Sequence, residues 1–318
     1  MMRAISLVIA LLMIFSSCTS TSNTYSKSEY LTGKGYGMTA EDAQLNAKVE
    51  LASLFGTNVK SVTARTITEN KDGYDESFIK ASEIVIDVED LYGLEIVETK
   101  REKDGRYTSV AIINKEVASS RYKAEIENLV NSLNKIEKLP IEANGSFESL
   151  EKAVSYYSLV EKYNMYVSII NYLDNANISY YDIRKAENVY SEVSNSICLE
   201  IILSGDENGK IEAELARLLT DMGIKISGGS EMPTAIAEGQ INFRKIQGTG
   251  IASDFVFAEY DIEIRLRDLL NDRALFVYTS HGREGHQNYG SAKSRAIAVI
   301  IEELESSFKE QFEDKYSL

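Results

Sequence analysis

Few side chains in this sequence are placed to do chemistry, and the thiol of Cys18 comes first among them. It follows Arg3, an apolar stretch from Ala4 to Phe15, and the small pair Ser16 and Ser17. A cationic start, a short apolar core and small residues before a cut are the layout of an export leader. A helix that spans hydrocarbon needs about 20 apolar residues, so this shorter stretch reads as a removable leader rather than a membrane span. A thiol set immediately beyond the cut is a nucleophile within reach of an acyl donor. The second thiol, Cys198, lies in the apolar run Ile197 to Leu203 and reads as buried and inert. If Cys18 is taken up in another bond, Cys198 is the one thiol left and no intramolecular disulfide can form.

The remaining chemistry is sparse. His281 and His286 are the two histidines, and the glycines around them read as a loop before the last helix. That spacing presets no metal geometry and no cysteine lies near, so a solvated turn is expected and no metal site. Gly33-Lys34-Gly35-Tyr36-Gly37 lacks the ending of a phosphate loop and the spacing of a dinucleotide fingerprint, so it reads as backbone punctuation before a helix cap. No Gly-x-Ser-x-Gly elbow occurs, and the carboxylates are spread over polar faces. The reading therefore has no catalytic residue, no cofactor and no enzymatic activity. Tyrosine is the exception to this sparseness, because Tyr156, Tyr163, Tyr166 and Tyr172 crowd one helical stretch. Each can bury an apolar ring and offer a hydroxyl, so they form a candidate partner-binding face, with internal packing as the favoured alternative.

The chain has 318 residues and a formal net charge of -15, one unit more negative once Arg3 leaves with the leader. Such a surface repels phosphate backbones, which excludes nucleic acid as a partner. The length exceeds one comfortable core and calls for more than one unit. Residues 18–28, rich in Ser and Thr, carry too little apolar surface to order themselves and read as a tether.

Folded structure is expected from residue 29. A strand leads to a helix that Thr39 caps with Asp42, burying Ala40, Ala43, Ala47, Leu51 and Leu54 and ending at Gly56. Val59 to Thr68 then reads as a strand, Glu83 to Leu91 as a strand or short helix, and Leu94 to Ile113 as a hairpin turning at Asp104-Gly105. Residues 119–195 have helical periodicity. From residue 196 the order is strand, helix, four strands, helix, and Phe255 to Arg267 alternates apolar and charged residues as a sheet covered on one face does. The fold class is α+β: two mixed helix-on-antiparallel-sheet domains, 29–118 and 196–318, joined by the helical segment 119–195 after a leader at 1–17 and the tether at 18–28.

Two resemblances sharpen this reading. The stretch through Ser17 and Cys18 resembles the lipobox of bacterial lipoproteins, although Phe15 stands where an aliphatic residue is usual. That resemblance implies cleavage between Ser17 and Cys18 and acylation of Cys18, which would hold the protein to membrane lipid. Thr19 is not the aspartate that retains many lipoproteins at the inner membrane, so the resemblance favours the outer membrane. Residues 29 to 125, with Gly33, Gly35, Gly37, Ala40, Ala43, Ala47 and Leu51, are similar to the twenty-kilodalton outer-membrane lipoprotein (LPP-twenty) family. The resemblance implies a non-catalytic scaffold or assembly factor in the cell envelope, with protein partners, some members being associated with flagellar motors. The alternative is a small-ligand or glycan binder with a cleft between its domains.

Overall fold

A computed structural model describes residues 25–69, 91–229, 231–249, 252 and 254–316. Ser17, Cys18, the leader and most of the tether lie outside the described residues, as does the segment from Glu83 up to Leu91. The elements are β1 (Tyr30–Gly37), α1 (Ala40–Glu69), β2 (Leu94–Arg101), β3 (Tyr107–Asn114), α2 (Lys115–Lys138), α3 (Phe147–Asp174) and α4 (Ile183–Ser196). They continue with β4 (Cys198–Ser204), α5 (Lys210–Asp221), β5 (Lys225–Ile226), β6 (Ala235–Gln247), β7 (Val256–Asp268), β8 (Arg273–His286), α6 (Tyr289–Glu303) and, after a π-turn at Leu304–Phe308, α7 (Lys309–Tyr316). The class is α+β, with one three-stranded and one five-stranded sheet. No helix among the described residues is long and apolar enough to cross a membrane.

Two compact units emerge: one comprises the chain up to Glu127 with Met165–Ser179, the other Asn128–Asn164 with Tyr180 onward, so α2 and α3 contribute to both. In the first unit the antiparallel order is β1-β3-β2, with α1 against one face. Thr39 and Asp42 form the reciprocal cap that the sequence predicts, each side chain accepting the other's backbone N–H at 3.1 and 3.3 Å. The glycines are more than punctuation. A Cβ on Gly35 would lie 2.1 Å from the Ala43 carbonyl oxygen and 2.1 Å from the Ala47 nitrogen, and one on Gly33 would lie 2.7 Å from the Ala47 oxygen. Strand and helix therefore touch backbone to backbone, and Ala43 and Ala47 are fully buried at that contact.

Four expectations fail here for physical reasons. The helix does not end at Gly56, and Val59 to Thr68 continues it to Glu69 instead of forming a strand. Ala43, Ala47, Leu51, Phe55 and Val59 are all buried at a spacing of four, and that stripe outweighs both the β-branched residues and the roughly 1 kcal/mol a helical glycine costs. Leu54 falls off the stripe and is exposed. The last tether residues are also structured, since the Ser26 carbonyl accepts from Glu29 and Tyr30 and the Tyr25 ring meets Tyr30 edge-on.

The second unit carries the sheet β5-β4-β6-β7-β8. It is mixed, because β4 runs parallel to both β5 and β6 while β6, β7 and β8 are antiparallel. A wholly antiparallel sheet was expected; the α5 crossover between β4 and β5 brings the chain back in the same direction. One sheet face is buried by Ile211, Leu215, Leu219, Ala292, Ala296, Ile300 and Phe308, and Phe147, Leu150 and Ala153 of α3 join the same core. The buried Asp268 carboxylate at the end of β7 ties these layers together. It accepts from the backbone N–H of Phe147 at 3.0 Å, Leu270 at 2.9 Å and Asn271 at 3.2 Å.

Candidate functional site

The opposite face of the second sheet carries the polar half of each alternating strand. β7 alternates as the sequence predicts, with Ala258, Tyr260, Ile262, Ile264 and Leu266 buried and Asp261 and Arg265 exposed. Register then sets the open-face side chains in rows across three strands. Gln240 stands opposite Glu263 and Glu263 opposite Thr279; one row further along, Asn242 stands opposite Asp261 and Asp261 opposite His281. Neighbours in a row are about 5 Å apart and the rows about 7 Å apart. These six side chains, with Glu238 and Arg265, line a groove of about 650 Å³, a volume in the range of small-ligand sites.

The charges around the groove are largely spoken for. Arg244 pairs with Glu259, Arg265 with Glu263, and Arg267 with Glu238 at 3.6 Å and Asp272 at 2.9 Å. Exposed pairs of this kind add about 0–1 kcal/mol each to stability, so their main effect is to hold the guanidinium groups in place. The groove is left with amide, hydroxyl and imidazole groups that both donate and accept, and with carboxylates that accept. Gln240 Nε2 donates to Asn242 Oδ1 at 3.2 Å, which orients both amides.

Beneath the groove a second polar layer fixes β7 to β8. Glu303 of α6 accepts from Ser280 Oγ at 2.6 Å and from Tyr260 Oη at 3.2 Å. Burial, with the Glu303 charge behind it, pushes the Tyr260 phenol up to about 12, and burial followed by Glu303 does the same to Tyr278.

The sequence-predicted site residues fare differently. Tyr156, Tyr163 and Tyr166 are only 3%, 7% and 4% exposed, and Tyr172 is partly buried with its ring 5.7 Å from Phe55. This corrects the partner-binding reading: the Tyr163 ring meets Tyr181 at 4.8 Å and the Tyr166 ring meets Tyr122 at 5.2 Å, so the rings serve as internal packing. Burial is the leading cause that raises the Tyr156, Tyr163 and Tyr172 phenols above their ordinary value. His281 and His286 lie on β8 rather than in a loop, because the strand pairs with β7 straight through Gly282 and Gly285. The Cys198 thiol is buried, 3.8 Å from a Glu231 carboxylate oxygen.

The alternation from Phe255 to Arg267 puts Asp261 and Glu263 on a wet face but does not show that they gather with Gln240 into a groove. The missing signal was β8: Val277, Thr279, His281 and Arg283 alternate against Tyr278, Ser280 and Gly282, a period of two that the glycines hide.

No family model matches the chain, and no curated protein matches it. Solved structures similar to it are secreted proteins and lipoproteins of bacteria. The secreted protein HP1454 of Helicobacter pylori is 15% identical, with 78% of this chain and 85% of that one covered at a TM-score of 0.44. A minor lipoprotein of Acinetobacter baumannii is 14% identical over 36% of this chain and 91% of its own, TM-score 0.28. Lipoprotein GNA1162 of Neisseria meningitidis is 15% identical over 35% and 99%, TM-score 0.25. With every score below 0.5, these likenesses carry no argument about what this chain does.

Proposed function

We propose that this is a lipid-anchored protein of the bacterial envelope that acts by binding rather than catalysis, and that the open face of the second sheet is its recognition surface. The anchor rests on the leader and Cys18; two or three acyl chains at about 0.8 kcal/mol per buried methylene hold a protein at a membrane. The outer membrane is the address that Thr19 favours.

The observation that carries the binding reading is the groove over β6, β7 and β8, with its two rows of hydrogen-bonding side chains. Amide, carboxylate, hydroxyl and imidazole groups at 5–7 Å intervals suit a ligand that presents hydroxyls at similar intervals, so a glycan is the chemistry this face fits. The scaffold reading loses its best surface with the burial of Tyr156, Tyr163 and Tyr166.

The test is calorimetric titration of the mature chain with a panel of neutral and amino-sugar oligosaccharides, beside Gln240→Ala and Asp261→Ala. Binding that either variant weakens at least tenfold, with an unchanged melting temperature, supports the reading. Absence of binding across the panel, or binding indifferent to both variants, returns the groove to a solvated face and the protein to the scaffold class.

A further inference from the structure

We propose that β8 is an assembly edge, pairing antiparallel with β8 of a second copy of this chain about a two-fold axis at Ser280. The inference starts from how the other strand edges are treated. The outer edge of β1 is occupied by α1, since the Glu50 carboxylate accepts from the Lys34 backbone N–H and Asn46 Nδ2 donates to the Tyr36 carbonyl at 2.8 Å. β2 is interrupted by a bulge between Ile96 and Glu98 and carries Glu95, Glu98, Lys100 and Arg101. β5 is two residues long. Bulges, charges, coverage and shortness are the devices that stop strands from pairing with other chains.

β8 has 14 residues and is the last strand of its sheet. Side chains reach its carbonyls near the two ends, Lys315 Nζ to Leu275 at 3.2 Å and Arg295 Nη1 to Gly285 at 3.3 Å. The run from Phe276 to Glu284 between them is a long, regular edge.

The sequence of that run suits itself as a partner. With Ser280 opposite its own copy, Val277 faces the partner's Arg283, Tyr278 the partner's Gly282, Thr279 the partner's His281 and Phe276 the partner's Glu284. No like charges meet: the two charged residues of the run, Arg283 and Glu284, face the partner's Val277 and Phe276. A shift of one position on each strand would set His281 against the partner's His281 or Thr279 against the partner's Thr279, losing these pairs. Because directly opposed residues share a face, Thr279 and His281 of one groove adjoin the partner's His281 and Thr279. Two grooves become one continuous polar surface. The pairing needs no ligand and stands whether or not a glycan binds.

The experiment uses the full mature chain in detergent and reads its self-association by sedimentation. Val277 is 52% exposed, so changing it leaves the core untouched. Val277→Glu sets a carboxylate against the partner's Arg283 and should tighten the dimer, whereas Val277→Lys should weaken it. Each contact occurs twice per dimer, so the two variants should differ in dissociation constant on the order of tenfold or more. In parallel, Ser280→Cys should cross-link to itself under mild oxidation, while Glu310→Cys on α7 should not. A monomer at tens of micromolar, equal association of the Glu and Lys variants, or a Glu310→Cys cross-link as strong as that of Ser280→Cys would overturn the proposal.

Discussion

Gly35 shows how much one missing methyl group decides. Its hydrogen faces the backbone of α1, and the 2.1 Å approach that a Cβ would make to Ala43 and Ala47 can be relieved only by moving strand from helix. Overpacking a core typically costs about 1–3 kcal/mol, and a clash with backbone should lie at or above the top of that range. Gly35→Ala should therefore lower the thermal stability of the first unit sharply, while Gly56→Ala, which meets nothing within 4 Å, should be neutral or stabilising; calorimetry of the two variants checks this. Asp268 is a comparable single point in the second unit. Asp268→Ala would orphan the N–H groups of Phe147, Leu270 and Asn271, so chemical denaturation should report a loss on the order of 3 kcal/mol or more. Tyr260 and Tyr278 give a pH signature. Their folded values, about 12, lie above the ordinary 10.0, so the fold holds the protonated phenol. That stability is fully present below about pH 10 and is lost as pH rises through the folded values. Unfolding followed between pH 10 and 12 should show the decline, and Tyr260→Phe with Tyr278→Phe should flatten it.

The elements were legible where one periodicity ruled and obscure where two competed. In the second unit, the stretch that forms β7 alternates so regularly that its buried and wet faces can be assigned from the sequence, in agreement with the structure. Around Gly56 the Thr and Val residues signalled a strand, but the four-residue stripe through Phe55 and Val59 was tied to a sheet the sequence could not display. His281 was misplaced because glycines that usually mark a loop sit inside β8. The groove was invisible for a related reason: it depends on register between three strands, and register is a property of pairs. The tyrosine helices were ambiguous because helical spacing fixes which residues share a face but not whether that face is covered. Burial now sets an expectation at this scale. Tyr156→Ser, Tyr163→Ser and Tyr166→Ser should each cost about 3–5 kcal/mol, as truncating a buried aromatic does, and leave partner recovery per folded molecule unchanged. Wild-type melting with reduced partner recovery would restore the interaction face.

For the molecule as a whole, we propose an acyl anchor at Cys18 and recognition through the polar groove of the second sheet. Metabolic labelling with a fatty-acid analogue should mark the wild type and not Cys18→Ala, which should also keep its leader; labelling of that variant would remove the anchor. The acidic balance, with a formal charge of -15, keeps such a protein off anionic surfaces, so its membrane attachment should survive high salt, unlike attachment through a basic patch. The central claim is that this anchored protein works through the open face of its second sheet. The measurement that meets it most directly is photo-cross-linking in intact cells, with a diazirine side chain at Gln240 in the groove or at the exposed Glu310 on α7, the protein being otherwise native and acylated. The account predicts a discrete adduct from Gln240 in the envelope fraction, lost when Asp261 is changed to Ala, and none from Glu310. No adduct at Gln240, or one of equal yield at Glu310, would contradict it.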